Sequence, residues 1–391
     1  MRAIVIGGGI GGPVAAMALR KAGIDASVHE RYDRRDDGSF GALSIAPNGV
    51  QALEVVGLAD AVRAIGTPMT AMELQSWTGR TLGRFGSEPP QLLVWRADLH
   101  RVLREEAVRR GIAVEHGREL VDAVDHGPHV TARFADGSEV DADLLVGADG
   151  IRSTVRRIID PAAPGPRYAG LLGFGARLAH TGEPSTGGAM RLVSGKRAFF
   201  GYQVHADGSG GWFANLPRKA SLTTAQARAT GPQEWLAVLR AAFTPDRTPA
   251  VRLVDATDPA DLVVTGALED VPSVPRWSRG RLVLVGDAAH ATSPSSGQGA
   301  SLAFESAVQL ARCLRDLPHD EAFRAYEELR RDRVERIIAQ AARTNRDKAA
   351  GPVGRLLRDT LLPLAFKFAD PSRFTWQFDH RIEWDDVLSH A

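Results

Sequence analysis

Gly7, Gly9 and Gly12 stand in the spacing G-x-G-x-x-G, with Gly8, Ile10 and Gly11 between them, and Glu30 follows 18 residues beyond Gly12. Glycines in this register suit a pyrophosphate. Gly7 permits the tight turn, Gly9 lets the backbone approach the ligand, and Gly12 lets helix and strand pack closely. A carboxylate at Glu30 can accept hydrogen bonds from an adenosine ribose, and Arg31 beside it is a candidate for the adenosine end. Two more acids end apolar runs: Asp149 in Leu144-Leu145-Val146-Gly147-Ala148-Asp149-Gly150, and Asp287 in Leu282-Val283-Leu284-Val285-Gly286-Asp287. Pro294 and the turn Gly297-Gln298-Gly299 follow the second acid. An Asp at the end of a parallel strand can hold a ribityl hydroxyl. The N–H groups of the Gly-Gln-Gly turn can face the polar edge of a flavin ring.

Strands and helices must carry these groups. Ala3-Ile4-Val5-Ile6 reads as a buried parallel strand, Pro13 to Ala22 as a helix ended by Gly23, and Ala26 to His29 as a second strand. Free N–H groups at the N-terminus of that helix favour phosphate. A further helix is expected from about Ala300 to Leu314. Leu99, Val102, Leu103 and Val108 give the segment after Arg96 an apolar helical face. The expected fold class is α/β: a Rossmann-like dinucleotide domain of the glutathione reductase type, with an inserted antiparallel-sheet domain and C-terminal helices.

In the order of these motifs the chain resembles the class A flavoprotein monooxygenases, the para-hydroxybenzoate hydroxylase-like group, over nearly its whole length. The resemblance implies tightly bound, non-covalent FAD. It implies that Glu30 binds the adenosine ribose, Asp287 the ribityl chain, and Asp149 the pyrophosphate region, with a link to NAD(P)H. Arg96, in Trp95-Arg96-Ala97-Asp98, matches an arginine that reaches FAD. Two departures stand out. Gly38 occupies the place near which several relatives carry an arginine, with Arg34 and Arg35 earlier, and Ala300-Ser301 and Glu305-Ser306 replace an Asn and an acidic pair. The implied reaction runs from flavin reduction by NAD(P)H, through a flavin 4a-hydroperoxide formed with oxygen, to hydroxylation of an aromatic, quinone or polyketide-type small molecule. Pro294 is expected beside the reacting edge of the ring, with His290 as a candidate for proton transfer.

The expected organisation is a discontinuous FAD domain (1–67, 96–165 and 276–345), a substrate domain (68–95 and 166–275) and a C-terminal helical segment (346–391). The C-terminal part of the chain is expected to carry helices from Glu321 to Arg346 and from Gly354 to Ala369, the second interrupted by Pro363. A hairpin is expected over Val130–Val140. Roof strands such as Ala198 to Val204 supply the pocket. Alternate strand residues share a face, so Phe200 and Tyr202 go together. With Trp212 and Arg197 they are the expected substrate contacts, and Phe199, Gln203, Phe213, Asn215 and Arg177 are further candidates.

Other chemistries on the same fold stay open. A flavin halogenase fits least: Trp212-Phe213-Ala214-Asn215-Leu216-Pro217 only echoes W-x-W-x-I-P, and no lysine occurs between Lys21 and Lys196. A flavin-dependent reductase of a prenyl or alkene substrate and a non-catalytic FAD-binding sequestration protein are the alternatives. Composition excludes other classes. The 48 Lys+Arg against 47 Asp+Glu leave no basic nucleic-acid footprint. The one cysteine, Cys313, excludes intrachain disulfides and thiolate-rich metal clusters. No apolar run reaches the roughly 18–20 residues of a membrane span, and no signal peptide is recognised. The expectation is a cytoplasmic enzyme, monomeric or weakly dimeric, with no metal.

Overall fold

The computed structural model describes residues 1–33, 41–348, 351–368 and 376–388. Arg34, Arg35 and Gly38, Ala369, and parts of the expected C-terminal segment lie outside the described residues. The apolar run at the N-terminus forms the strand Arg2–Ile6, central in a six-stranded sheet. The order is Ser278–Arg279, Leu282–Leu284, Leu144–Gly147, Arg2–Ile6, Asp25–His29 and Ala113–Glu115. All neighbours are parallel except the edge strand Ser278–Arg279. Ala3, Ile4, Val5, Leu144, Leu145, Val146, Val283 and Leu284 are wholly buried because both faces of the sheet are covered, one by helices such as Gly11–Lys21 and the other in part by the antiparallel strands Leu120–Asp125, Val130–Phe134 and Glu139–Ala142. The helix Gly11–Lys21 starts two residues before the expected Pro13 and packs on the helix Gly299–Asp316.

The segments Leu120–Asp125, Val130–Phe134 and Glu139–Ala142 form an antiparallel meander, which includes the expected hairpin. Ala42–Ile45, Gln91–Trp95 and Thr67–Met69 form a second small antiparallel sheet, which delivers Trp95 and Arg96 to the start of the helix Arg96–Arg109.

A seven-stranded sheet occupies the middle of the chain. Its order is Val263–Asp270, Arg167–Leu178, Gly210–Pro217, Phe199–Val204, Ala189–Ser194, Ala71–Ser76 and Thr81–Phe85. One pair, Ala189–Ser194 with Ala71–Ser76, is parallel, so the sheet is mixed where an antiparallel one was expected. The reason is topological: Ala71–Ser76 comes from an earlier stretch of chain and enters alongside Ala189–Ser194 instead of returning from it. Helices Thr224–Ala229, Pro232–Phe243 and Ala250–Asp255 cover one face of this sheet and build a second core around Phe200, Trp212, Trp235 and Phe243.

Two long helices follow Gly299–Asp316. His319–Lys348 packs on Gly299–Asp316, and Pro352–Phe368 runs through Pro363 instead of stopping there. No described helix is long and apolar enough to cross a membrane.

Candidate functional site

The glycine turn joins the central strand to the helix Gly11–Lys21. Gly7 has φ +107°, and a Cβ there would meet the Ala148 carbonyl oxygen at 2.4 Å. A Cβ on Gly12 would lie 1.8 Å from the Gly7 oxygen, so no side chain fits between turn and helix. Gly9 differs: nothing lies within 4 Å of where its Cβ would be. That open space beside a helix N-terminus is what a pyrophosphate requires. Glu30, just past the second strand, accepts from the Gly8 N–H at 2.6 Å and the Tyr32 N–H at 2.9 Å. Gly7, Gly8, Gly9, Glu30 and Tyr32, with Arg31, Arg104, Arg118, Asp149 and Arg152, line a cleft of about 230 Å³ at the carboxyl ends of the strands, where open α/β sheets bind ligands. Arg31 lies over the Tyr32 ring and donates to its hydroxyl at 2.7 Å.

Asp149 faces inward as well as into the cleft. Its carboxylate accepts from the Ser153 hydroxyl at 2.5 Å and from the N–H groups of Thr154 and Val155 at 2.7 and 3.1 Å. It therefore holds the start of the helix Thr154–Ile159, for which Ser153 is the N-cap. Burial pushes the Asp149 carboxyl up while these donors pull it back. Arg156 from this helix donates to the Ala288 carbonyl at 2.8 Å, tying the first aspartate motif to the second. Asp287 begins a short helix after Gly286. Burial pushes its carboxyl up, and the positive charges of Arg96 and Arg156 pull it down. Among the described residues no group donates to the Asp287 carboxylate, which leaves its acceptors for a ligand.

The turn Gly297-Gln298-Gly299 is held from behind. Asn48 Nδ2 donates to Gln298 Oε1 at 3.0 Å and to Glu305 Oε1 at 2.6 Å. Glu305 is 1% exposed and pairs with Arg330 at 2.5 Å and Arg333 at 2.9 Å. Burial pushes this carboxyl up, but Arg330 and Arg333, with a further contribution from His380, dominate and hold it down at about 2. Gln298 Nε2 is buried with no partner among the described residues, an orphaned donor at the place where a flavin edge is expected. The open space at Gly9, the unmatched Asp287 acceptors and the orphaned Gln298 donor together fit a dinucleotide with a polar ring system at one end.

His290 is revised by its surroundings. It is 3% exposed, its Nε2 is 2.8 Å from the Ser306 hydroxyl, and its ring packs against Trp277. Burial and the Arg330 charge hold it down to about 3, so the ring is neutral and engaged in the core. In this geometry it is a packing residue, its ring held by Ser306 and Trp277.

The four expected substrate contacts are also corrected. Phe200, Tyr202 and Trp212 all point to the helix-covered face, where Phe200 packs on Trp212 at 5.5 Å and Phe243 at 5.0 Å between ring centres. Arg197 is exposed and donates to the Ala241 carbonyl. The opposite face of the same strands carries Phe199, Gly201, Gln203, Gly211, Phe213 and Asn215. This face looks toward the dinucleotide side. Trp95 lies close to Gly211 and under Arg177, and Lys348 bridges Asn215 to Ser295, next to Pro294. Neither Lys348 nor Glu305 carries a local sequence signal for burial. One mark was present: Glu305 stands where the sequence departs from its relatives.

The parity of the strand makes a testable split. Phe200→Ala removes a wholly buried ring and is expected to cost about 3–5 kcal/mol of stability. Phe213→Ala, at a half-buried ring on the other face, is expected to leave most of that stability but raise KM about tenfold. Thermal unfolding beside steady-state kinetics separates the two, and equal melting losses would refute the assignment of faces.

The family model of the FAD binding domain matches residues 1–217 and 267–341. The stretch it skips contains the three helices behind the seven-stranded sheet. A 3-amino-4-hydroxybenzoate 2-monooxygenase of Streptomyces cremeus is 33% identical over 88% of this chain and 86% of that protein. An FAD-dependent urate hydroxylase of Klebsiella pneumoniae is 32% identical over 87% of this chain and 88% of its own length. The crystal structure of Klebsiella pneumoniae HpxO with FAD and uric acid superposes with a TM-score of 0.84 at 28% identity, covering 97% of this chain and 95% of that one. Identity at this level over nearly the whole length carries the motifs together with the fold that spaces them. The chain belongs to the class A FAD-dependent monooxygenases, hydroxylases of aromatic small molecules.

Proposed function

We propose that the chain is an NAD(P)H- and oxygen-dependent hydroxylase of a small, electron-rich aromatic ring. The ring lodges between the Phe199, Phe213 and Asn215 face of the seven-stranded sheet and the turn Pro294–Ser296. The observation that carries this reading is the bridge through Lys348, which ties the Asn215 strand and the Phe199 ring to the loop at Ser295. FAD, when bound, supplies the two-electron relay between NAD(P)H and oxygen. Glu30 and the Gly9 backbone hold its adenosine and pyrophosphate, Asp287 its sugar alcohol, and the Gln298 turn its ring edge. Phe199 and Phe213 give the substrate ring an apolar wall and exclude water. Asn215 and Ser295 orient its polar substituents. In this reading residues 68–95 and 166–275 act as the substrate domain, with Pro294 beside the reacting ring. The substrates named for two relatives, 3-amino-4-hydroxybenzoate and urate, support a ligand of that size.

The test is NADH and NADPH oxidation by the FAD-loaded protein with 3-amino-4-hydroxybenzoate, urate and salicylate, with products identified by mass. The expected result is stimulation by at least one ring and a product heavier by one oxygen atom. Saturation of an alkene without oxygen would install the reductase reading instead. Flavin binding with no ring-stimulated oxidation would favour a sequestration protein.

A further inference from the structure

Lys348 ends the helix His319–Lys348. Its Nζ donates to Asn215 Oδ1 at 2.7 Å and to Ser295 Oγ at 2.8 Å, and lies 4.2 Å from the centre of the Phe199 ring. The directions of these bonds are fixed by their neighbours. Asn215 Nδ2 donates to the Ala214 carbonyl at 3.0 Å, which leaves Oδ1 for the lysine. Ser295 spends its own proton on Asn345 Oδ1 at 2.5 Å, an oxygen that also accepts from Ser293 at 3.1 Å. Ser295 Oγ therefore accepts from Lys348. A neutral amine has two N–H bonds and one lone pair. Both N–H bonds are used, and the lone pair is left for a ligand.

The groups in contact with the Lys348 amine are Phe199 and Asn215 from two strands of the sheet and Ser295 from the loop, with Asn345 and Ser293 bonded behind Ser295. None carries a charge. Burial alone holds the lysine down at about 7, with no charged group among the described residues bearing on it. The amine can thus take or lose a proton under ordinary conditions.

We propose that Lys348 is a catalytic base of the substrate pocket, accepting the proton of an acidic ring O–H or N–H on the aromatic substrate. This rests on the pocket assigned under the proposed function. In the step, the substrate O–H or N–H bond breaks and its electron pair stays on the ring heteroatom. The nitrogen lone pair forms the new N–H bond. The resulting ammonium keeps its two donors on Asn215 and Ser295 and turns the third to the ring anion. Ring carbons ortho and para to that heteroatom gain the electron density that hydroxylation demands. The substrate class is accordingly a phenol or an acidic N-heterocycle, not a neutral hydrocarbon or quinone.

The experiment is titration calorimetry on the FAD-loaded protein in buffers of different ionisation enthalpy, which counts protons exchanged on binding. The probes are 3-amino-4-hydroxybenzoate and its 4-methoxy analogue. For the wild-type protein the phenol should release about one proton near pH 6, where the lysine is already charged, and about none near pH 8, where it accepts the proton itself. Lys348→Arg keeps a cation that cannot accept a proton and should release about one at both pH values. Lys348→Met should release about none at either. The methyl ether should release none from any variant. Flavin content reports folding, and the arginine variant carries the test alone if the methionine variant fails to hold FAD. Identical proton counts for wild type and both variants would overturn the proposal. So would equal affinity for phenol and ether with no proton exchange, although the pocket would then stand. Turnover only of rings without an acidic proton would overturn it too, leaving the hydroxylase reading intact. Failure of the holoenzyme to bind any aromatic ring would remove both.

Discussion

Gly12→Ala should yield a protein that emerges from purification without FAD and melts well below the wild type. The added Cβ would lie 1.8 Å from the Gly7 oxygen and 3.0 Å from the Gly7 carbon. Both are backbone atoms, so no rotamer change relieves the contact. The helix Gly11–Lys21 would have to move off the central strand, taking its free N–H groups away from the cleft. Overpacking of a core costs about 1–3 kcal/mol and more where the backbone must shift. Gly9→Ala is the matched control. Its Cβ meets nothing within 4 Å, so the protein alone should keep its stability. The same methyl group projects into the space assigned to the pyrophosphate, and FAD retention should fall. Flavin absorbance per protein and thermal melts of both variants distinguish a broken turn from a blocked one. Full FAD occupancy in Gly12→Ala would contradict the packing argument, and full occupancy in Gly9→Ala would contradict the location of the pyrophosphate.

The second large effect is expected at Glu305. Replacing it with glutamine leaves Arg330, which is wholly buried, and Arg333 without their shared counter-charge. Removing one member of a buried ion pair costs about 3–5 kcal/mol, because the remaining charge stays desolvated. The loss should also lower FAD retention, since Asn48 connects Glu305 to the Gln298 turn. The pH dependence follows from the depressed carboxyl. Glu305 titrates at about 2 in the folded chain, against roughly 4.3 when unfolded. Its stabilisation is complete above the unfolded value and disappears as pH falls from there through the folded one. Wild-type stability should therefore drop more steeply than that of Glu305→Gln between about pH 4.3 and pH 2. Denaturant melts across that window would show parallel curves if the ion pair had no such role.

The two proteins' worth of information in this chain were unequally legible in its residues. The dinucleotide half could be read because its signals are local. A short apolar run, glycines at fixed spacing and an acid after the second strand all act within 30 residues of one another, and the observed strands and helix differ by a residue or two from expectation. The seven-stranded sheet was recognisable as a sheet, but not the direction its residues face. Phe199–Val204 is buried along its whole length, so it lacks the polar alternation that marks a solvent side. Which parity meets the helices depends on residues 224–255, far along the chain. Lys348 stood among Arg343, Arg346 and Asp347, where a charged residue ordinarily implies a solvated helix end. Its burial arises from Asn215 and Ser295, brought in from 133 and 53 residues away. His290 misled for the opposite reason: it is close in sequence to Asp287, but its helix turns the imidazole into the core.

The alternation along the roof strands also bears on how such a protein changes over generations. Phe200, Tyr202, Trp212 and Ala214 are bound to the helices behind them, and exchange there is penalised through folding before any ligand is involved. Phe199, Phe213 and Asn215 lie on the other face, outside that helix-backed core. Mutations with little effect on folding escape the stability threshold that removes most others. If the proposed pocket holds, a gene encoding this sheet can explore new substrates through drift at Phe199, Phe213 and Asn215, while the residues between them keep the sheet in place.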